Sequence, residues 1–101
     1  MSVVRAMCFL LSVLAAAPTG AHDLSQDEAL RLRQSGVILP LDQLRASALA
    51  LHEGATFLEA ELEQEHGRYV YEIEILLPDG RVRELEFDAV KGHLLEDKED
   101  D

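Results

Sequence analysis

The stretch Tyr69–Gly92, YVYEIEILLPDGRVRELEFDAVKG, decides the fold. Tyr69, Tyr71, Ile73, Ile75 and Leu77 occupy every second place, with Glu72 and Glu74 between them. Successive side chains of a strand point to opposite faces, so this spacing predicts a strand with one apolar and one acidic side. After Pro78-Asp79-Gly80 the alternation resumes: Leu85, Phe87 and Ala89 fall on one side, and Glu84, Glu86 and Asp88 on the other. Proline fixes one φ of the turn and glycine is free to take a positive one, which makes the two strands an antiparallel pair. The sheet they build has one face for a core and one for water.

Working outward, Leu58, Ala60 and Leu62 alternate with Glu59, Glu61 and Glu63, and His66-Gly67-Arg68 separates this run from Tyr69. That order predicts a further hairpin. Before Gly54 the period lengthens. Leu41, Leu44, Ala48 and Leu51 recur at spacings of three and four, an apolar stripe on a helix from about Leu41 to His52, with Leu49 beside it. Ser25 and Glu28 have the spacing of a capping box, and Gly36 is placed to end a short first helix. Lys91-Gly92 reads as a last turn, with a short strand through His93–Leu95 after it. The expected fold is α+β, one or two helices packed on a three- to four-stranded antiparallel sheet. Residues 22–40 are expected to form the short helix and a linker, 41–95 the domain, and 96–101 an acidic disordered tail with too little apolar surface to order itself.

The chain begins MSVVRAMCFLLSVLAAAPTGAHD, with Arg5 ahead of an apolar run from Ala6 to Ala17 and small residues at Thr19 and Ala21. This is the layout of a secretory signal, residues 1–21, with cleavage expected after Ala21. The run is shorter than the ~20 residues a bilayer crossing needs, so no membrane insertion is expected once the signal is gone. Cys8 stands at the start of the run with Arg5-Ala6-Met7 before it, the wrong place for a lipid-accepting cysteine. It is the only cysteine, so the remaining chain of roughly 80 residues is one small domain held by its core alone. Export without cysteines points to a periplasm.

Charge narrows the partners. The chain has 9 Lys and Arg against 20 Asp and Glu, a net of −11, and the signal removes one arginine and no acid. Such a surface repels phosphate backbones and anionic lipid heads, which sets nucleic acid and membrane surfaces aside. Cations and basic protein surfaces remain, although solubility alone also accounts for an acidic composition.

The residues in this order resemble a PepSY domain, a small exported module of a helix followed by antiparallel strands. The resemblance rests on a helix closing at Gly54, on Tyr71-Glu72-Ile73-Glu74-Ile75, on the Asp79-Gly80 turn, on the strand ending in Asp88-Ala89, and on Gly92. It covers roughly Leu41 to Leu95. Lys91 departs from the threonine common before the last glycine, and the helix before Pro40 is additional. The resemblance implies a binding or inhibitory module that modulates an envelope or secreted protein, either a peptidase or a sensor ectodomain. It brings no catalytic residues and no cofactor.

The residues themselves agree on the absence of catalysis. Ser25, Ser35 and Ser47 have cap, helix-end and helix-body explanations, and no serine sits in a strand-to-helix elbow. No two of His22, His52, His66 and His93 have zinc-ligand spacing, so no metal site is expected from them. The rival reading is a periplasmic metal-binding protein using His22, as the new N-terminus, with the acidic tail. Carboxylates two apart on a strand lie about 7 Å from each other on one side, but strands lack the looped cage of carbonyls that calcium prefers. Most of the acidic side is expected to be solvated and crossed by pairs from Arg81 and Arg83, with Val70 and Leu76 as exposed apolar spots. The expectation is therefore a non-enzymatic monomer that binds its partner through Glu72, Glu74, Glu84 and Glu86.

Overall fold

The computed structural model describes residues 21–100; the secretory signal expected over 1–21 lies outside them but for Ala21. Seven elements follow in order: β1 (Ala21–Asp23), α1 (Gln26–Gln34), α2 (Leu41–Leu51), β2 (Thr56–Glu65), β3 (Arg68–Leu76), β4 (Val82–Asp88) and β5 (Leu94–Glu99). The class is α+β, and the strands form one antiparallel sheet in the order β1-β2-β3-β4-β5. It has five strands, not the three to four expected: β1 is the addition, and β5 carries the short strand expected over His93–Leu95 on to Glu99.

Each expected turn forms for a local reason. His66 and Gly67 both take positive φ, 50° and 78°, the backbone of a two-residue hairpin loop whose twist matches that of its strands. At the next turn the Gly80 amide donates to Leu77 O at 2.9 Å and the Leu77 amide to Arg81 O at 2.8 Å. Asp79 accepts from the Arg81 amide at 3.1 Å and from its Nε at 2.9 Å. Beyond β4 the Asp88 carboxylate accepts from the Val90 and Lys91 amides, both at 2.8 Å. Gly92 follows with φ 88°, and a Cβ there would stand 2.9 Å from Leu39 Cδ1, so this turn requires glycine twice over.

The core lies between the sheet and the helices. Tyr71, Ile73 and Ile75 of β3, with Leu85 and Phe87 of β4, are 0 to 2% exposed, and Leu44 and Ala48 of α2 are fully buried against them. α1 starts with the expected capping box: Ser25 Oγ accepts from the Glu28 amide at 3.1 Å, and the Ser25 amide donates back to Glu28 Oε1 at 3.4 Å. It buries only Ala29. A polar relay fastens it further: Arg33 Nη1 donates to Tyr71 Oη at 3.2 Å, and that hydroxyl donates to Leu39 O at 3.1 Å. The Leu39 amide donates in turn to Ala89 O at 2.8 Å. The connector between the helices is thus tied to the central strands.

Four expectations require correction. β2 carries a bulge between Phe57 and Glu59, which turns Leu58 outward to 45% exposure and sets Phe57 partly against the core, with Arg45 stacked 5.6 Å from its ring centroid. Leu51 is half exposed, because the inward place at that end of α2 is taken by His52. Val70, expected as an exposed spot, is 1% exposed; it stands between Glu63 and Asp88 in its cross-strand row, and their longer side chains flank it. Of the residues expected as an acidic disordered tail, 96–101, those from Glu96 to Glu99 instead supply most of β5, and the Asp100 amide donates to Val82 O at 2.9 Å; Asp101 lies outside the described residues.

What orders β5 is its partners. Asp97 lies opposite Leu85 and so faces the helix layer, where its Oδ2 is 2.7 Å from His52 Nε2 and its Oδ1 accepts from Arg83 Nε at 2.9 Å. Arg83 also donates to the Asp97 carbonyl at 3.2 Å. Burial pushes the Asp97 carboxyl up, but the hydrogen bonds with His52 and Arg83 outweigh it and hold it below the ordinary aspartate value. The clasp joins the end of α2 to β4 and the edge strand β5.

The bulge and the strand phase are tested together by urea unfolding. Ile73→Ala and Phe87→Ala are each expected to cost about 2–5 kcal/mol, whereas Leu58→Ala should change stability by no more than about 0.5 kcal/mol. Equal losses at Leu58 and Ile73 would contradict this register.

Candidate functional site: a face of opposed carboxylates

The register places the expected residues in one block. Glu72 stands directly opposite Glu86, and Glu74 directly opposite Glu84. The rows continue on both sides: Glu61-Glu72-Glu86-Glu96 runs across four strands, and Glu59-Glu74-Glu84-Lys98 runs beside it. Like charges directly opposite each other on a sheet repel. Here that repulsion is repeated across the whole outer face.

Few cations offset it. Lys98 Nζ lies 3.7 Å from both Glu84 and Glu96, and Arg68 Nε lies 3.9 Å from Asp88 at the far end. The pairs expected from Arg81 and Arg83 do not cross the face. Arg81 binds Asp79 within its own turn and reaches Glu99, and Arg83 lies opposite Ile75 and turns inward to Asp97.

Several of the carboxyls are shifted upward in response. Partial burial, reinforced by a hydrogen bond with Glu84, pushes Glu72 up to about 8; burial and the charge of Asp23 push Glu63 up to about 7. Glu86 is raised by burial and by Glu65 and Glu96, and Glu74 by burial and a hydrogen bond with Asp100. At the β2 edge the Glu61 carboxyl is raised first by a hydrogen bond with Asp23 and then by its charge. The direction is uniform because each group loses hydration to neighbours of its own sign.

Sequence reasoning found four members of this face and missed Asp23, Glu59, Glu61, Glu63 and Glu96. The alternation of Glu59, Glu61 and Glu63 was visible; which acids they oppose was not. Carboxylate oxygens of Asp23, Glu61 and Glu63 lie within 4.8 Å of one another, a grouping of oxygen ligands but without histidine. His22 is exposed in β1 opposite Gln64, and β1 and β5 are opposite edges of the sheet. His22 and the acidic tail are therefore not brought together as the metal-binding alternative requires. Among the described residues no buried side-chain nitrogen or oxygen lacks a hydrogen-bond partner, and no helix is long and apolar enough to cross a membrane.

The described residues thus form a helix-covered antiparallel sheet whose open face carries opposed carboxylates. The family follows from comparison with known proteins: the model of PepSY, described as "Peptidase propeptide and YPEB domain", matches residues 38–98, and the chain belongs to that family. The match includes β5 but for its last residue, Glu99, and leaves β1 and α1 outside. No curated protein and no solved structure matches the chain.

Stability should follow the carboxylates with a definite sign. For a group whose folded pKa is raised, the stabilisation is present below the ordinary glutamate value of 4.5 and is lost as pH rises through about 7 for Glu63 and about 8 for Glu72. Asp97 and Asp88 act oppositely. Burial raises Asp88, but hydrogen bonds from the Lys91 and Val90 amides hold it low, so both groups stabilise the fold above about 3.8 and cease to as pH falls further. The melting temperature is expected to peak on the mildly acidic side and to fall towards pH 8. Glu72→Gln should flatten that fall, and a melting temperature that rises from pH 5 to 8 would contradict the assignment.

Proposed function

We propose that the chain is an exported, non-enzymatic binding module that docks its carboxylate face on a basic surface of an envelope or secreted protein. That partner is a peptidase whose cleft the module covers or a sensor ectodomain that it restrains. The single observation carrying this reading is the pair of cross-strand rows in which Glu72, Glu74, Glu84 and Glu86 oppose one another with one lysine beside them. A partner's lysines and arginines would supply the missing counter-charges and relieve a repulsion already built into the fold. The family contributes the coarser half of the reading, a propeptide-like regulatory module. The signal-like N-terminal sequence supports placement in the periplasm.

Such docking has a physical signature. Exposed charges are screened over about 8 Å at physiological ionic strength, so affinity should fall as salt is raised, chiefly through slower association. The test is capture from an envelope extract with the protein as bait, beside a variant carrying Glu72→Lys, Glu74→Lys, Glu84→Lys and Glu86→Lys. The partner is expected to be a basic peptidase or sensor ectodomain, retained by the parent, lost by the variant and released by salt. Equal recovery on both baits would remove the acidic face from the interaction.

A further inference from the structure

β1 covers β2 only from Glu63 to Glu65. The Leu24 amide then donates to Leu62 O at 2.9 Å, and the chain turns away into α1. Among the described residues no strand lies beside β2 on that edge before Glu63. At this junction, on the helix side of the sheet, is a cavity of about 200 Å³. Its apolar lining comes from Ala29, Leu41, Ala60, Leu62 and the ring of Tyr71. Asp23 and Glu61 border it at the sheet edge, but their side chains belong to the other face. Glu61 stands in the outer row opposite Glu72, and Asp23 stands opposite Glu63. Arg33 is the one charged side chain that the lining residues place on the cavity's own face.

Arg33 is unusual in so acidic a chain. Among the described residues Arg45, Arg68, Arg81 and Arg83 each lie within 4 Å of a carboxylate, whereas Arg31 and Arg33 do not. Arg31 is exposed and keeps its water; Arg33 is half-buried and loses hydration without gaining a counter-charge. Its protein partner is the neutral Tyr71 hydroxyl, which accepts from Nη1 at 3.2 Å and commits its own proton to Leu39 O at 3.1 Å. That anchor fixes the plane of the guanidinium and leaves most of its donor fork free. A fork held in one orientation suits a carboxylate, which it binds through two parallel hydrogen bonds. Beside it Ala29 and Ala60 supply only methyl groups, so the space over Leu62 is left open.

A half-buried guanidinium without a carboxylate, set in an otherwise aliphatic cavity, fits a single kind of ligand. We propose that this cavity binds a monocarboxylate with a short branched aliphatic tail. Its carboxylate lies on the free fork of Arg33 and its tail against Ala29, Ala60 and Leu62. The acids of the sheet do not oppose it, because their side chains stand on the far face. A free carboxylic acid and the C-terminus of a peptide ending in leucine share this chemistry. The site is formed only with α1 in place, so it is a property of this chain's N-terminal extension and does not depend on what the outer face binds.

The test is an NMR titration of the protein with 4-methylpentanoate and, separately, with the capped dipeptide N-acetyl-Ala-Leu. Each is taken to about 10 mM, well above a Kd of about 1 mM. Saturable shifts are expected at the Ala29 and Ala60 amides and at the Arg33 Nε–H with at least one of them, and which one binds separates the free acid from the peptide terminus. 4-Methylpentanamide lacks the charge and acetate lacks the tail, so both should bind more weakly. Arg33→Gln should weaken the carboxylate by about tenfold or more. Ala60→Ile gives a second reading if Arg33→Gln disturbs α1: it fills the cavity from β2, leaves the guanidinium in place, and should reduce 4-methylpentanoate to the level of acetate. Absence of saturable shifts with both carboxylates, amide binding equal to that of the acid, or unchanged affinity in a folded Arg33→Gln or Ala60→Ile variant would overturn the proposal.

Discussion

The structure depends on the register between β3 and β4. Because side chains alternate with a period of two, the pairing that sets Ile73 against Leu85 inside also sets Glu72 against Glu86 outside. The two faces cannot be adjusted separately, since a one-residue slip would carry the apolar row into water and the acids into the core. Magnitudes decide which row governs. Each buried Ile, Leu or Phe contributes roughly 1.5–3 kcal/mol, whereas a directly opposed pair of side chains changes stability by roughly 0.2–1 kcal/mol. Tyr71, Ile73, Ile75, Leu85 and Phe87, all nearly inaccessible, therefore hold the glutamates together against their repulsion.

The elements that could be read in the sequence were those specified locally. The Ser25–Glu28 box, the Asp79-Gly80 turn, the Leu44 and Ala48 stripe and the alternation of β3 and β4 each lie within a few residues and have a local physical cause. What could not be read depends on partners distant along the chain. β5 beyond Leu95 has no apolar run to predict it; it is ordered by pairing with β4 and by Asp97 meeting His52 and Arg83 across separations of 45 and 14 residues. The three residues of β1 are a strand only because Glu63–Glu65 receive them. The bulge that reverses Leu58 and Phe57 leaves no trace in a pattern where both are apolar.

The same distinction applies to the candidate site. Four of its glutamates were legible because alternation puts them on one side, but alternation says nothing about what stands opposite. Arg83 shows the consequence. It was expected to pair across the acidic face, although its place two residues before Leu85 puts it on the apolar side; in the fold it faces inward opposite Ile75, and its charge serves the clasp on β5. Removing Arg83 from the outer face makes that face more acidic than composition alone implies. The polar relay Arg33–Tyr71–Leu39 was invisible for a like reason, since it joins residues 38 and 32 positions apart.

Solubility alone is a weak account of the outer face. A soluble surface is best served by interspersed charges of both signs, and edge strands are where charge best prevents unwanted pairing. β5 fits that description, with Lys98 set between Glu96 and Glu84. The block on β3 and β4 does not, because it lies on inner strands of the sheet, where no edge needs protection, and its members oppose one another. Glu72 in it is pushed up to about 8, so near neutrality that carboxyl holds a proton that a bound cationic group would displace. A face whose neutral form helps the fold and whose charged form suits a basic partner couples stability to binding. That coupling is a reason for a small regulatory module to keep acids where a purely structural sheet would place neutral polar residues.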